Sequence, residues 1–107
     1  MKQYSYSDQY GGVYSLRLNK TQYAQNGNLA VHAEYFDEEL EVWLPFANIT
    51  VNLGEKLPDG FAYADTNNFR GVLEFLTENG IAESDGECGF SGYCVYPLVK
   101  FNESAFE

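Results

Sequence analysis

Three turn signals punctuate the N-terminal part of the chain: Gly11-Gly12, Asn26-Gly27, and the run Asp37-Glu38-Glu39-Leu40-Glu41. Strands joined by links this short pair antiparallel, because a parallel crossover needs a dozen or more residues. Tandem glycine supplies the positive φ of a tight turn, and Asn-Gly suits a type I′ turn, whose two central residues both need it. Between the turns the side chains alternate. Tyr4 and Tyr6 stand against Ser5 and Ser7, and Tyr14, Leu16 and Leu18 stand against Ser15, Arg17 and Asn19. Leu29, Val31, Ala33 and Tyr35 stand against Ala30, His32, Glu34 and Phe36. This is the period of two expected of strands with one buried face. A two-residue Asn26-Gly27 loop would set Leu18 opposite Tyr35 but Lys20 and Gln22 opposite Ala33 and Val31, so a longer loop or a bulge is the alternative.

Val42 to Leu53 reads as the longest and most apolar strand. Trp43, Ala47, Ile49, Val51 and Leu53 share one face, while Val42, Leu44 and Phe46 make the opposite face apolar at its start, which predicts cover on both sides there. A loop rich in turn formers follows, then a short strand over 61–64. Asp65-Thr66-Asn67-Asn68 offers N-caps for a helix at about 68–79 with Phe69, Val72, Leu73 and Leu76 on its apolar stripe, Phe75 widening the stripe, and Gly80 suited to the left-handed C′ position. Residues 83–92 are rich in glycine and acid and read as a loop. Tyr93 to Phe101 is the last strand, and Pro97 places it at an edge or a bulge.

The expected fold class is α+β: a mainly antiparallel five- to six-stranded sheet of consecutive hairpins, with one helix (about 68–79) packed on one face, all in a single domain over 1–107. The predicted core is Leu16, Leu18, Val31, Tyr35, Trp43, Ile49, Val51, Leu53, Phe69, Val72, Leu73, Leu76, Val95 and Leu98.

Six basic residues face sixteen acidic ones, for a net charge of −10, and Lys2, Arg17, Lys20, Lys56, Arg70 and Lys100 are scattered singly. No stretch could neutralise a run of phosphates, so direct nucleic-acid binding is not expected. No run approaches the roughly 20 apolar residues of a membrane span, and the N-terminus lacks a signal-peptide core, so a cytoplasmic protein with no membrane partner is expected. Cys88 and Cys94 are then reduced, and read as small buried residues. With the distant His32 they make no zinc site. Gly89-Phe90-Ser91-Gly92 resembles a nucleophile elbow only superficially, since Tyr93 stands where glycine would be required. No catalytic residue, metal or cofactor is expected, and the chain reads as a non-enzyme.

The charge points outward. Asp37, Glu38, Glu39 and Glu41 at one hairpin tip, with Glu83, Asp85 and Glu87 in one loop, are too charged to be buried unpaired. They are the candidate partner-binding residues. The expected partner is a basic protein, whose phosphate-binding groove carboxylates could fill in place of phosphates. Two other classes stand beside this one: an accessory domain whose charge serves solubility, and a small enzyme drawing on Asp65, Asn67 and Asn68 with Glu87 and His32.

Finally, Ala64-Asp65-Thr66-Asn67-Asn68, the run from Val72 to Ala82, Ser91-Gly92-Tyr93-Cys94-Val95-Tyr96-Pro97 and Ala47 to Leu53 resemble an uncharacterised domain family. It comprises small proteins carried on conjugative elements, plasmids and prophages of Gram-positive bacteria. The resemblance implies a setting, mobile DNA, and no mechanism or catalytic residue.

Overall fold

A computed structural model describes residues 2–107. The chain forms two four-stranded antiparallel sheets in place of the expected single sheet. The first contains β1 (Tyr4–Ser7), β2 (Val13–Gln22), β3 (Leu29–Asp37) and β4 (Val42–Asn48), side by side in chain order. The second contains β5 (Thr50–Val51), β6 (Phe61–Ala64), β7 (Ala82–Ser91) and β8 (Cys94–Phe101), in the order β5, β6, β8, β7. A short helix, α1 (Val72–Glu78), lies between β6 and β7, and a 3₁₀ turn over Glu103–Phe106 closes the chain.

The stretch expected to be one long strand is where the sheets part. β4 ends at Asn48 and β5 starts at Thr50, so the chain leaves one sheet and enters the other at Ile49. Its N–H donates to the Val31 carbonyl of the first sheet at 2.9 Å, and its own carbonyl accepts from the Asp65 N–H beside the second at 2.9 Å. Corners of this kind, where a strand switches sheets, are typical of packed two-sheet cores. Alternation in sequence is unbroken through such a corner, which is why it reads as one strand. Thr50 finishes the joint: its buried hydroxyl accepts from the Val31 N–H at 3.0 Å and pairs with the Tyr23 hydroxyl at 2.9 Å.

The inner faces carry Leu16, Leu18, Val31 and Ala33 from the first sheet and Ala62, Ala64, Val99 and Phe101 from the second, with Phe69, Val72, Phe75, Leu76 and Ile81 from the helical segment. Of the predicted core, Tyr35, Trp43, Val51, Leu53, Leu73 and Leu98 are only half-buried, and Val95 is exposed. Val95 has the inward parity of Val99 but lies far out on the β7–β8 hairpin, beyond the core. Leu98 sits opposite Tyr63, on the sheet face turned away from Ala62 and Val99.

The helix starts later than the caps suggest. Asp65 does cap a turn, since its carboxylate accepts from the Asn68 N–H at 3.3 Å and its carbonyl from the Phe69 N–H at 2.9 Å. Gly71, left-handed at φ 77°, then resets the backbone, and α1 begins at Val72. At its end Gly80 (φ 67°) and the Ile81 N–H on the Leu76 carbonyl, 2.9 Å, form a Schellman cap. Phe75 reaches the rings of Tyr4 (6.4 Å) and Tyr6 (5.8 Å), so the helix bridges toward β1 while also lying against β7.

Two turns differ from expectation as well. The β2–β3 link runs over residues 23–28, which puts Leu16 opposite Tyr35 and Leu18 opposite Ala33, the longer-loop alternative. Residues 83–91 belong to β7 and not to a loop, because pairing with β8 outweighs their poor strand propensity, with a bulge between Ser84 and Cys88. β8 is consequently an interior strand. Pro97 is tolerated because β6 pairs only with 98–100, so at Pro97 the strand has a neighbour on one side alone.

Candidate functional site

The outer face of the first sheet and its distal tip make the most developed surface. β3 and β4 alternate, so Glu34, Phe36 and Trp43 point away from the core while Tyr35 and Leu44 point in. Cover on both sides of β4 is thus only partly met. Trp43 is shielded outward by Arg17, whose guanidinium lies 4.4 Å from the ring centroid, and by Phe36 at 5.4 Å, edge to face. Arg17 Nε also pairs with Glu34 Oε1 at 2.9 Å, and Asn19 Nδ2 donates to the same oxygen. The Arg17 hydrogen bond is the main reason the Glu34 carboxyl sits below its usual range, with the Asn19 bond adding to it. The face is therefore a stacked, hydrogen-bonded arrangement.

Beyond it the β3–β4 hairpin turns through residues 38–41. The Asp37 carboxylate accepts from the Leu40 N–H at 2.9 Å, and Glu41 takes a left-handed φ of 56° to close the turn. That geometry leaves Glu38, Glu39 and Glu41 in solvent. It also leaves apolar side chains there: Leu40 is 65 % exposed, Val42 43 %, Phe36 40 %, and Val13 from the neighbouring turn 70 %. A hollow of about 1050 Å³ lies at this end, lined by Val13, Phe36 and Trp43 together with Asp37, Glu38 and Glu39. Exposed apolar side chains with charged neighbours are found at protein-binding surfaces.

The other predicted acids stand elsewhere. Glu83, Asp85 and Glu87 are exposed along β7, the outer strand of the second sheet, and no hydrogen bond or ion pair among the described residues joins them to the first set. Glu83 lies opposite Lys100 in the register. The Asp85 carboxylate accepts from the Glu87 N–H at 3.2 Å within the bulge. Charges and a bulge on an outer strand are the usual means of keeping it from pairing with another chain.

The residues considered for an enzyme are not brought together. His32 is half-buried on the first sheet opposite Asn48 and Asn19, Asp65 is buried as a turn cap, and Glu87 lies on β7. Neither cysteine is in a disulfide, and Cys88 is exposed while Cys94 is half-buried, so the expected burial of the cysteines is corrected. Cys88 lies near the free end of the β7–β8 hairpin, where the core does not reach. Among the described residues no group of three or more His, Cys, Asp or Glu is placed to hold a metal ion, and no helix is long and apolar enough to cross a membrane.

A second buried feature lies on the far face of the second sheet. The Tyr63 hydroxyl donates to Glu55, and this bond, followed by burial, pushes the phenol up to about 12. Its ring lies against Gly89, where an added Cβ would fall 2.6 Å from the ring and 2.8 Å from Leu53. What sequence reading missed is the outward set Arg17, Phe36 and Trp43. Phe36 stands out of phase with Val31, Ala33 and Tyr35, but Trp43 shares its parity with the inward Ala47 and is turned outward only by the bulge in the β3–β4 pairing, which left no signal in the sequence.

The fold and surface define a small α+β protein with two antiparallel sheets and one helix. A family model described as a domain of unknown function (DUF4313) matches residues 17–107, and the chain belongs to that family. No curated protein and no solved structure matches it.

Proposed function

We propose that this chain is a non-enzymatic interaction protein of a mobile genetic element, binding a basic protein partner through the β3–β4 tip. The single observation that carries this reading is the coincidence at one hairpin tip of four carboxylates, Asp37, Glu38, Glu39 and Glu41, with the exposed apolar side chains Phe36, Leu40 and Val42. Acid alone would serve solubility. Acid around exposed aliphatic and aromatic carbon supplies both long-range steering and a desolvated contact. The natural target is a surface that otherwise meets phosphates, in a defence or nucleic-acid-handling protein of the host, with the carboxylates standing in for phosphate oxygens. The mobile-element setting rests on the likeness of the 47–53, 64–68, 72–82 and 91–97 segments to proteins carried on such elements.

For Glu83, Asp85 and Glu87 a second reading is favoured by their place on an outer strand: they keep the sheet edge from self-pairing. The test is affinity capture from a host lysate with the intact chain, with the triple variant Glu38→Gln, Glu39→Gln, Glu41→Gln, and with a triple Gln variant at 83, 85 and 87. Capture should fall steeply as salt shortens the Debye length from about 30 Å to about 8 Å, and should be lost in the first variant and kept in the second. Capture indifferent to salt and to the tip variant sinks the reading.

A further inference from the structure

Four strands have an open edge: β1 and β4 in the first sheet, β5 and β7 in the second. Three of them carry a device against pairing with another chain. β4 has Pro45 and a bulge, β5 is two residues long, and β7 has a bulge and three carboxylates. β1, Tyr-Ser-Tyr-Ser, has neither proline, charge nor bulge. Every second residue of an outer strand turns its N–H and C=O away from its one neighbour, so β1 offers unpaired backbone groups.

That edge faces a cleft, not bulk solvent. A cavity of about 630 Å³ lies between residues 5–10 and the helical segment, where Arg70, Glu74, Phe75 and Glu78 form the opposite wall. Tyr6 links the two walls. The Tyr6 hydroxyl donates to the Arg70 carbonyl at 3.1 Å, and the Tyr6 ring meets Phe69 at 5.0 Å and Phe75 at 5.8 Å. A strand edge paired with a flanking helix across a groove is the geometry in which extended peptides add to a sheet. Its volume lies within the roughly 300–1,000 Å³ of ligand clefts.

Charge chooses the occupant. Asp8, Glu74 and Glu78 stand around the cleft against the single guanidinium of Arg70. A second copy of this chain, at net charge −10, is repelled from such a rim. We propose that the cleft takes an extended segment of a partner polypeptide bearing lysine or arginine, added beside β1 as a fifth strand of the first sheet. Main-chain hydrogen bonds hold the segment, and Glu74 and Glu78 receive its basic side chains. This surface is distinct from the β3–β4 tip and stands or falls independently of it.

The test is an NMR titration of the full ¹⁵N-labelled chain with an acetylated six-residue peptide alternating lysine and valine, and with the same peptide N-methylated at every second residue in either register. Expected are shifts confined to residues 4–8 and 70–79, affinity lower by about tenfold in Glu74→Lys, Glu78→Lys, unchanged affinity in the triple Gln variant of the tip, and loss of binding for at least one methylated peptide of identical charge. Absence of binding, equal binding of all three peptides, or shifts elsewhere would overturn the proposal. So would concentration-dependent shifts at β1 without peptide, which would assign the cleft to a second copy.

Discussion

The joint around Ile49 and the two hairpin tips are built from similar residue types and treat them oppositely. In the core that the joint helps to close, Leu16, Ile49, Val72, Leu76 and Ile81 are fully buried, and both sheets and the helix contribute to the cluster. At the tips, Leu40 and Val42 on one hairpin and Phe90, Tyr93 and Val95 on the other are exposed. Apolar carbon at the joint stabilises the fold, whereas at the tips it is left available to something else. Hydrophobicity alone therefore does not locate a core. What decides is whether a second layer stands opposite.

Substitutions should grade along that axis. Leu76→Ala at the joint should cost about 2–5 kcal/mol by denaturant unfolding, the range for a large aliphatic side chain removed from a close-packed site. A midpoint equal to the parent's would erase the distinction. Gly89→Ala, near the end of β7, forces a methyl against the Tyr63 ring and should cost about 1–3 kcal/mol. Restoring room with Tyr63→Leu in the same chain should recover part of it.

A smaller effect belongs to Tyr63 itself. Its folded pKa lies above the unfolded value of 10.0, so the bond to Glu55 stabilises the fold below pH 10 and that contribution disappears as pH rises toward about 12. Glu55→Gln should bring this phenol's ionisation, followed by tyrosinate absorbance, back toward 10. Smallest of all, Leu40→Ser and the triple Gln variant of the tip should each move stability by no more than about 0.5 kcal/mol, as surface changes do. A large loss in any of them would show the tip to be structural.

Much of the fold was legible because it is local. The β1–β4 hairpins, the 61–64 strand and the Gly80 cap all follow from turn chemistry and alternation within a few residues. The misreadings share one cause: they depend on what lies opposite. Ile49 keeps perfect alternation while changing sheets, and residues 83–91 look like a loop until β8 supplies their hydrogen-bond partners. Gly71 sits in a good helical pattern, yet its left-handed backbone delays the helix. At the candidate site, the carboxylates at 37–41 could be read as a solvated tip from charge alone. Their apolar company could not, because the exposure of Leu40 and Val42 depends on where the opposing layer ends.

Ile49 also bears on how the molecule comes apart. Its peptide groups hydrogen-bond toward both sheets, so neither sheet can open fully without stripping the other of a partner and exposing the same fully buried side chain. The two layers are therefore expected to unfold together despite their separate ladders. The lone Trp43 reports on the first sheet and the Tyr63 environment on the second, and their melting curves should superimpose, as all-or-none unfolding requires.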